Sequence, residues 1–143
     1  MSKYLFLFLL TFSVNSFSSQ FKSSDEIINK LNSYQISDIT GDAQRLKNKE
    51  KLKIDEMFDD LETAAKYLED KTPNEEIAYS LERVCLLTFL HDPSSYSAEL
   101  IMSVYDKNTE LFKKASKKLH SYDQKVILEV LDGKSRALRD PAS

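Results

Sequence analysis

Hydrophobic residues recur three or four positions apart along most of the chain, the spacing that places them on one face of an α-helix. No stretch alternates apolar and polar residues with β-branched enrichment, which is the pattern of a half-buried strand. The 143 residues include 2 glycines and 3 prolines, so residues that break helices are few. The pattern predicts an all-α domain.

The first two helices are predicted from capping residues and apolar spacing. A capping serine, Ser23 or Ser24, precedes an acidic turn, and the helix that follows is expected to end around Ser33. A break over Asp38–Gly41 should then precede one long second helix, with apolar positions from Leu46 to Leu68.

Charge along this second helix is polarised. Its first half is basic over residues 45–53, and its second half is acidic over residues 55–70. That order opposes the helix dipole, so helix stability does not explain it. Two interpretations remain: pairing with nearby charges, at i, i+4 or on another helix, and a docking face for a partner.

The clearest helix start is Thr72-Pro73-Asn74-Glu75, which combines an N-cap threonine, proline at the first helical position and a glutamate placed for a capping box. The helix that follows is apolar around most of its circumference as far as Leu90. A helix of this kind is buried, so we expect it at the centre of the core.

Three further helices are expected after Pro93, which disfavours helix at the residue before it. Capping residues predict their starts near positions 95, 108 and 121, the last with a Ser121–Gln124 capping box. Gly133 occupies the position of a helix C′ residue. Residues 134–143 are therefore expected to form a polar tail.

The helices and short corners from Thr72 to Gly133 resemble HEAT-like stacked α-hairpins. The resemblance covers about half the chain and rests on helix length and corner chemistry, without a motif of any particular family. It implies a repeat, whereas Leu61–Asp92 and Ser94–Gly133 do not align as one. Two architectures remain: a compact helical bundle, or a short HEAT-like α-hairpin stack, of five to six helices after a cleaved signal peptide.

The first 18 residues have the order of a secretory signal peptide: Lys3, an apolar run over residues 4–14, and small residues after it. The run is shorter than the roughly twenty residues of a membrane-spanning helix. Cleavage is expected after Ser16 or Ser18, leaving a helical domain over residues 19–133. Since no lipid-carrying cysteine lies near this junction, we expect a soluble periplasmic or secreted protein with no stable membrane anchor. An uncleaved N-terminal anchor is the alternative.

Composition narrows the environment and the partners. The formal net charge of −3 gives no reason to expect nucleic acid or an anionic membrane as a partner. Cys85 is the only cysteine, so the chain forms no internal disulfide and must be stabilised by packing. Stabilisation by packing, without an internal disulfide, suits a protein of a bacterial periplasm.

Residues suited to catalysis are few. Acid and base catalysis at neutral pH most often uses histidine, and the chain has two, His91 and His120. Both are predicted at helix ends, where a favourable interaction with the helix dipole accounts for a histidine without any catalytic role. Cys85 lies on the most apolar helix, which favours a buried, unreactive thiol. We assign no catalytic residue and no cofactor. A hydrolase that uses Cys85 or a carboxylate pair is an alternative.

Charged faces and one aromatic residue make up the candidate binding surface. Glu56, Asp59 and Asp60 share a face of the second helix and could hold a hard cation loosely, but the loop and glycine of an EF-hand are missing. A solvated acidic face is the favoured interpretation, and we assign no metal site. The candidate partner-binding residues are this acidic run, a lysine face and a half-exposed tyrosine: Asp55, Glu56, Asp59, Asp60, Lys113, Lys114, Lys117 and Tyr96.

These features predict an exported helical module that binds another protein. Its most concrete form is an inhibitor or immunity-type protein of the bacterial periplasm, because the chain is small, acidic and poor in cysteine. The alternatives are a structural or assembly module of a larger envelope complex, which could associate with its own copies, and an uncharacterised hydrolase.

Overall fold

A computed structural model describes residues 21–141, and the predicted signal peptide, Met1–Ser18, lies outside them. The described residues contain helices and no strand, which confirms the all-α prediction. In chain order the helices are α1 (Ser24–Ser33), α2 (Ile36–Thr40), α3 (Asp42–Lys47), α4 (Lys53–Glu69), α5 (Glu75–Phe89), α6 (Tyr96–Leu100), α7 (Met102–Lys107), α8 (Thr109–Ser116) and α9 (Ser121–Arg139).

Helix α5 lies at the centre of the core, as its apolar circumference predicts. Helices α1, α4, α8 and α9 pack around it, and α2 and α6 also contact it. Five of its apolar side chains have no exposed surface: Ile77, Ala78, Leu81, Val84 and Cys85. Because one helix is surrounded by the others, the architecture is a compact bundle around α5.

Helix α1 begins and ends where the sequence predicts. Ser23 Oγ accepts a hydrogen bond from the backbone N–H of Glu26 at 3.2 Å, so the predicted serine cap is formed. Ile27 and Leu31 are fully buried on its inner face. Arg83 of α5 holds the end of α1, because its guanidinium donates hydrogen bonds to the backbone carbonyls of Asn32 and Tyr34.

The predicted long second helix is instead two helices, α3 and α4, and the short helix α2 covers part of the predicted break over Asp38–Gly41. The Asp42 carboxylate accepts the backbone N–H groups of Lys53 and Ile54 at 2.7 and 3.0 Å. These two bonds cap the start of α4 from a residue eleven positions earlier, and they require the chain to turn back between α3 and α4. Lys49, with a φ of 58°, lies in that turn.

The break between α3 and α4 also accounts for the charge order. Arg45 and Lys47 lie in the last turn of α3, while Asp55 and Glu56 lie in the first turn of α4. Cations at a helix C-terminus and anions at an N-terminus are both stabilising. The order that would oppose one long helix therefore suits two.

Two predicted helix starts are wrong in detail. Helix α5 begins at Glu75, and its cap is Asn74, whose side chain accepts the backbone N–H groups of Glu76 and Ile77. The predicted capping box at the start of α9 is not formed, because the N-cap position is His120 and no side chain caps it.

Helix α9 continues through Gly133 to Arg139, so the predicted stop at Gly133 is not observed. Ser135, beyond the glycine, is 1% exposed, and its hydroxyl donates to Asp106 of α7 at 2.5 Å. Lys134 pairs with Glu99 of α6 at 2.7 Å. These tertiary contacts hold the last turns of the helix where sequence polarity alone predicts a polar tail.

The segment after Pro93 contains two short helices, α6 and α7, which meet at Ile101. Asp92 caps α6 by accepting the Tyr96 backbone N–H at 2.7 Å. A buried hydroxyl pair, Thr88 to Ser97 at 2.6 Å, joins α5 to α6. With the additional helix α2 and the division of the second helix, this split gives nine helical segments over residues 21–141, where the sequence predicts five to six.

Candidate functional site

The acidic run on α4 faces two directions. Glu56 and Asp60 point toward α1, where Lys30 Nζ lies 2.5 Å from Glu56 and 3.7 Å from Asp60. Tyr34 Oη donates to Asp60 at 2.6 Å. Asp60 is 1% exposed. These two carboxylates join α1 to α4, with Asp60 buried and Glu56 27% exposed, which corrects the prediction of a single acidic face.

Ion pairing changes the acidity of this cluster. Hydrogen bonds from Lys30 and then Lys53 lower the pKa of Glu56 to about 2. The pKa of Tyr34 is raised, first by burial and then by its hydrogen bond to Asp60. Glu56 therefore remains ionised and Tyr34 remains a hydrogen-bond donor throughout the neutral range.

Asp55 and Asp59 face outward from α4. Asp59 forms an ion pair with Lys51 at 2.9 Å, and both side chains are 64% exposed. Asp55 is exposed. Among residues 21–141, no group of three or more histidine, cysteine or carboxylate side chains is placed to hold a metal ion.

Tyr96 contacts α4 through Phe58, the residue that precedes Asp59 on the chain. Its ring packs edge-on against Phe58 of α4, with 5.3 Å between ring centroids and an interplanar angle of 90°. Tyr96 remains 45% exposed, as a half-exposed anchor would be. Phe58 follows Asp55 by one helical turn and precedes Asp59 directly. We call this surface the α4–α6 face, defined by Asp55, Phe58, Asp59, Glu62 and Tyr96.

The lysines of α8 act partly within the molecule. Lys114 Nζ lies 2.6 Å from Glu75, and Lys118 Nζ lies 3.2 Å from it and also pairs with Glu76. These contacts join α8 to the acidic first turn of α5 and lower the pKa of Glu75. Lys113 pairs with Glu110 of its own helix at 3.4 Å, and Lys117 is exposed. Lys114 therefore lies on the surface and also forms an ion pair that joins α8 to α5.

Cys85 is fully buried, as the sequence predicts, and burial raises the pKa of its thiol to about 12. A cysteine hydrolase needs an accessible thiolate, so this environment opposes that hypothesis. His91 lies just beyond the C-terminus of α5, as predicted. His120 is instead the N-cap residue of α9, where the favourable dipole interaction proposed from sequence does not apply.

Glu82 is a site that the sequence reasoning missed. It lies on α5 with no exposed surface, and neither of its carboxylate oxygens has a hydrogen-bond partner among the described residues. Burial raises its pKa to about 8. The available signal was the apolar circumference of α5, because a helix buried on all sides also buries its charged residues.

A groove of about 470 Å³ runs along the outer surface of α9. Its basic residues outnumber its acidic ones, and one of the acidic residues, Asp132, accepts a hydrogen bond from Tyr105 of α7. Its lining consists of Lys125, Leu128, Glu129, Asp132, Arg136 and Arg139.

We compared the chain with protein-family models, curated protein sequences and solved structures, and none of the three comparisons found a match. None of the helices in the described part of the chain has both the length and the apolar character needed to cross a bilayer.

Proposed function

We propose that this chain is an exported helical module that acts by binding another protein through the α4–α6 face. The observation that carries the proposal is the Phe58–Tyr96 pair, which holds a half-exposed aromatic ring at a fixed orientation. Tyrosine anchors dominate many interfaces, and an anchor already held in position loses less side-chain entropy on binding.

The charges around this anchor favour a partner with basic residues. Asp55 is exposed, and the exposed pair of Asp59 with Lys51 contributes little to stability, because solvent screens it. A cation from a partner can replace Lys51 at little cost. We therefore expect a partner with an apolar pocket for Tyr96 and lysine or arginine side chains at its rim.

The specific form of the proposal is an inhibitor or immunity-type protein of the bacterial periplasm. It is supported by the sequence of residues 1–18, which has the order of a signal peptide, and by a single cysteine in a bundle stabilised by packing. Mass spectrometry of the chain recovered from a periplasmic fraction should find an N-terminus after Ser16 or Ser18. Recovery of the full-length chain from the cytoplasm would contradict export.

Binding is tested with the mature protein as bait in periplasmic extract. The wild type should retain a stoichiometric partner, and Tyr96→Ala should weaken that binding about thirtyfold, which corresponds to roughly 2 kcal/mol for an aromatic anchor. Asp55→Lys should weaken it in a salt-dependent manner. Tyr122→Ala is the matched control, because Tyr122 is 75% exposed on α9. Failure of the wild type to retain a partner, or equal binding by Tyr96→Ala, would overturn the proposal.

A second candidate is an assembly module that binds its own copies, and the groove on α9 favours it. Lys125 and Arg136 of this groove offer positive charge, whereas Asp55 and Asp59 on α4 offer negative charge. One copy could dock head to tail on the next. Light scattering should then show a mass that grows with protein concentration and falls with added salt. A strict monomer at high concentration would exclude this candidate.

A further inference from the structure

Glu82 occupies an unusual position for a carboxylic acid. It lies in the middle of the central helix with no exposed surface, and both carboxylate oxygens lack a hydrogen-bond partner among the described residues. Buried polar groups in proteins nearly always have a partner, because an unpartnered one costs about 1–3 kcal/mol and a charged one costs more. The protonated acid is therefore the form that the folded core tolerates.

The titratable groups nearest to Glu82 do not offer it a positive charge. Burial is the main cause of the raised pKa of Cys85, one helical turn away on α5, and of Tyr105 on α7, and a negative charge on Glu82 adds to both shifts. Tyr105 is 1% exposed, and its hydroxyl donates to Asp132 of α9. The charge of Asp106 on α7 also adds to the raised pKa of Tyr105, and its carboxylate accepts a hydrogen bond from the hydroxyl of Ser135 on α9. The groups on the α7 and α9 side are therefore neutral or acidic.

The charged residues of α2 and α6, Asp38 and Glu99, are acidic, and the cations on the other helices around α5 are engaged elsewhere. Lys30 of α1 pairs with Glu56 and Asp60 of α4. Lys114 of α8 and Lys118, which follows α8, pair with the acidic first turn of α5, two turns before position 82. Arg83, the next residue on α5, donates to backbone carbonyls at the end of α1, including that of Tyr34. Ionised Glu82 thus has no cation provided for it among these groups.

We propose that Glu82 is a pH-sensitive switch: its protonated form keeps α5 packed within the surrounding helices, and its ionisation favours an opened bundle. Burial holds the pKa of Glu82 near 8 in the folded protein, compared with 4.5 for the free side chain. The folded state therefore keeps a proton that the open state releases. Stability is lost as the pH rises from about 4.5 to about 8, and it levels off above that range.

Cys85 provides a measurement of this opening. Its thiol is fully buried one turn from Glu82, so a thiol reagent reaches it only when the core around α5 opens. The rate of modification, divided by the rate measured for the unfolded protein at the same pH, gives the opening equilibrium. This division removes the ordinary pH dependence of thiol chemistry.

The experiment compares the wild type with Glu82→Met, which keeps the length of the side chain and removes its ionisation. The ratio of wild-type to variant opening should increase up to about tenfold per pH unit between pH 6 and about pH 8 and then level off. Taking this ratio cancels the pH dependence that the two proteins share. Glu110→Gln, at a carboxylate that is 89% exposed on α8, should behave as the wild type does.

The proposal is overturned if the wild type and Glu82→Met show the same pH dependence of Cys85 modification. It is also overturned if the Glu110→Gln control loses the pH dependence as Glu82→Met does. Circular dichroism checks that the variant is folded. If Glu82→Met does not fold, Glu82→Gln is the substitute, because it is neutral and has nearly the same shape, and the same ratio must be observed.

Discussion

The hydroxyl of Tyr34 donates a 2.6 Å hydrogen bond to the carboxylate of Asp60, and both side chains are buried where α1 meets α4. The two residues are 26 positions apart on the chain. Lys30 adds a positive charge 3.7 Å from the same carboxylate. The acidic residues of α4 therefore serve two purposes, since Glu56 and Asp60 hold the fold while Asp55 and Asp59 remain on the surface.

Removing the Tyr34 hydroxyl should destabilise the protein. Tyr34→Phe leaves the Asp60 carboxylate buried without that donor, which should lower the free energy of unfolding by about 1–3 kcal/mol. Urea denaturation at neutral pH measures it. Tyr122→Phe is the control, because Tyr122 is 75% exposed and should unfold as the wild type does. Equal midpoints for Tyr34→Phe and the wild type would contradict the role of this hydrogen bond.

The Glu56 ion pairs should make the protein sensitive to acid. The pKa of Glu56 is lowered to about 2 from its ordinary value of 4.5, so its stabilising contribution is present above pH 4.5 and is lost as the pH falls toward 2. Because its side chain is 27% exposed, solvent screening should limit the contribution to roughly 1–2 kcal/mol.

This acid sensitivity is measured by urea denaturation at pH 5 and at pH 3. Glu56→Gln should be less stable than the wild type at pH 5, and the difference between them should shrink at pH 3. Glu110→Gln serves as the exposed control. A difference that stays constant between the two pH values would show that ionisation of Glu56 is not its cause.

Asp42 should decide where α4 begins. Asp42→Ala removes the acceptor of the Lys53 and Ile54 backbone N–H groups, which should cost about 1–2 kcal/mol of stability, as the loss of an N-cap does. Asp42→Asn keeps an acceptor oxygen and should recover most of the loss. Thermal unfolding of the two variants gives the comparison, and equal stability of Asp42→Ala and the wild type would exclude this cap.

Gly133→Ala distinguishes a helix interior from a helix end. In the structure Gly133 lies within α9, and a Cβ added there meets nothing within 4 Å. Alanine should therefore stabilise the protein by about 0.5–1 kcal/mol, because glycine is a poor helix former. A left-handed C′ glycine, as the sequence predicts, would give the opposite sign. A lower melting temperature for Gly133→Ala would instead support the predicted helix end at Gly133.

The sequence predicts part of the candidate surface. Asp55, Asp59 and Tyr96 were identified because charge and aromatic character are local properties. The contact between Phe58 and Tyr96 was not, because it joins two helices whose packing depends on every element around α5. The assignment of Glu56 and Asp60 to the same outward face failed for the same reason.

The sequence by itself determined the all-α class, the cap of α1 at Ser23, and the burial of α5 with Cys85, because helical periodicity and capping act within a few residues. Only the tertiary structure decided that the Asp42 carboxylate caps the start of α4 and that α9 continues beyond Gly133. The burial of Glu82 also depended on it. Each of these outcomes depends on groups distant in sequence, since a side chain's partners and its access to water are set by the packing of helices.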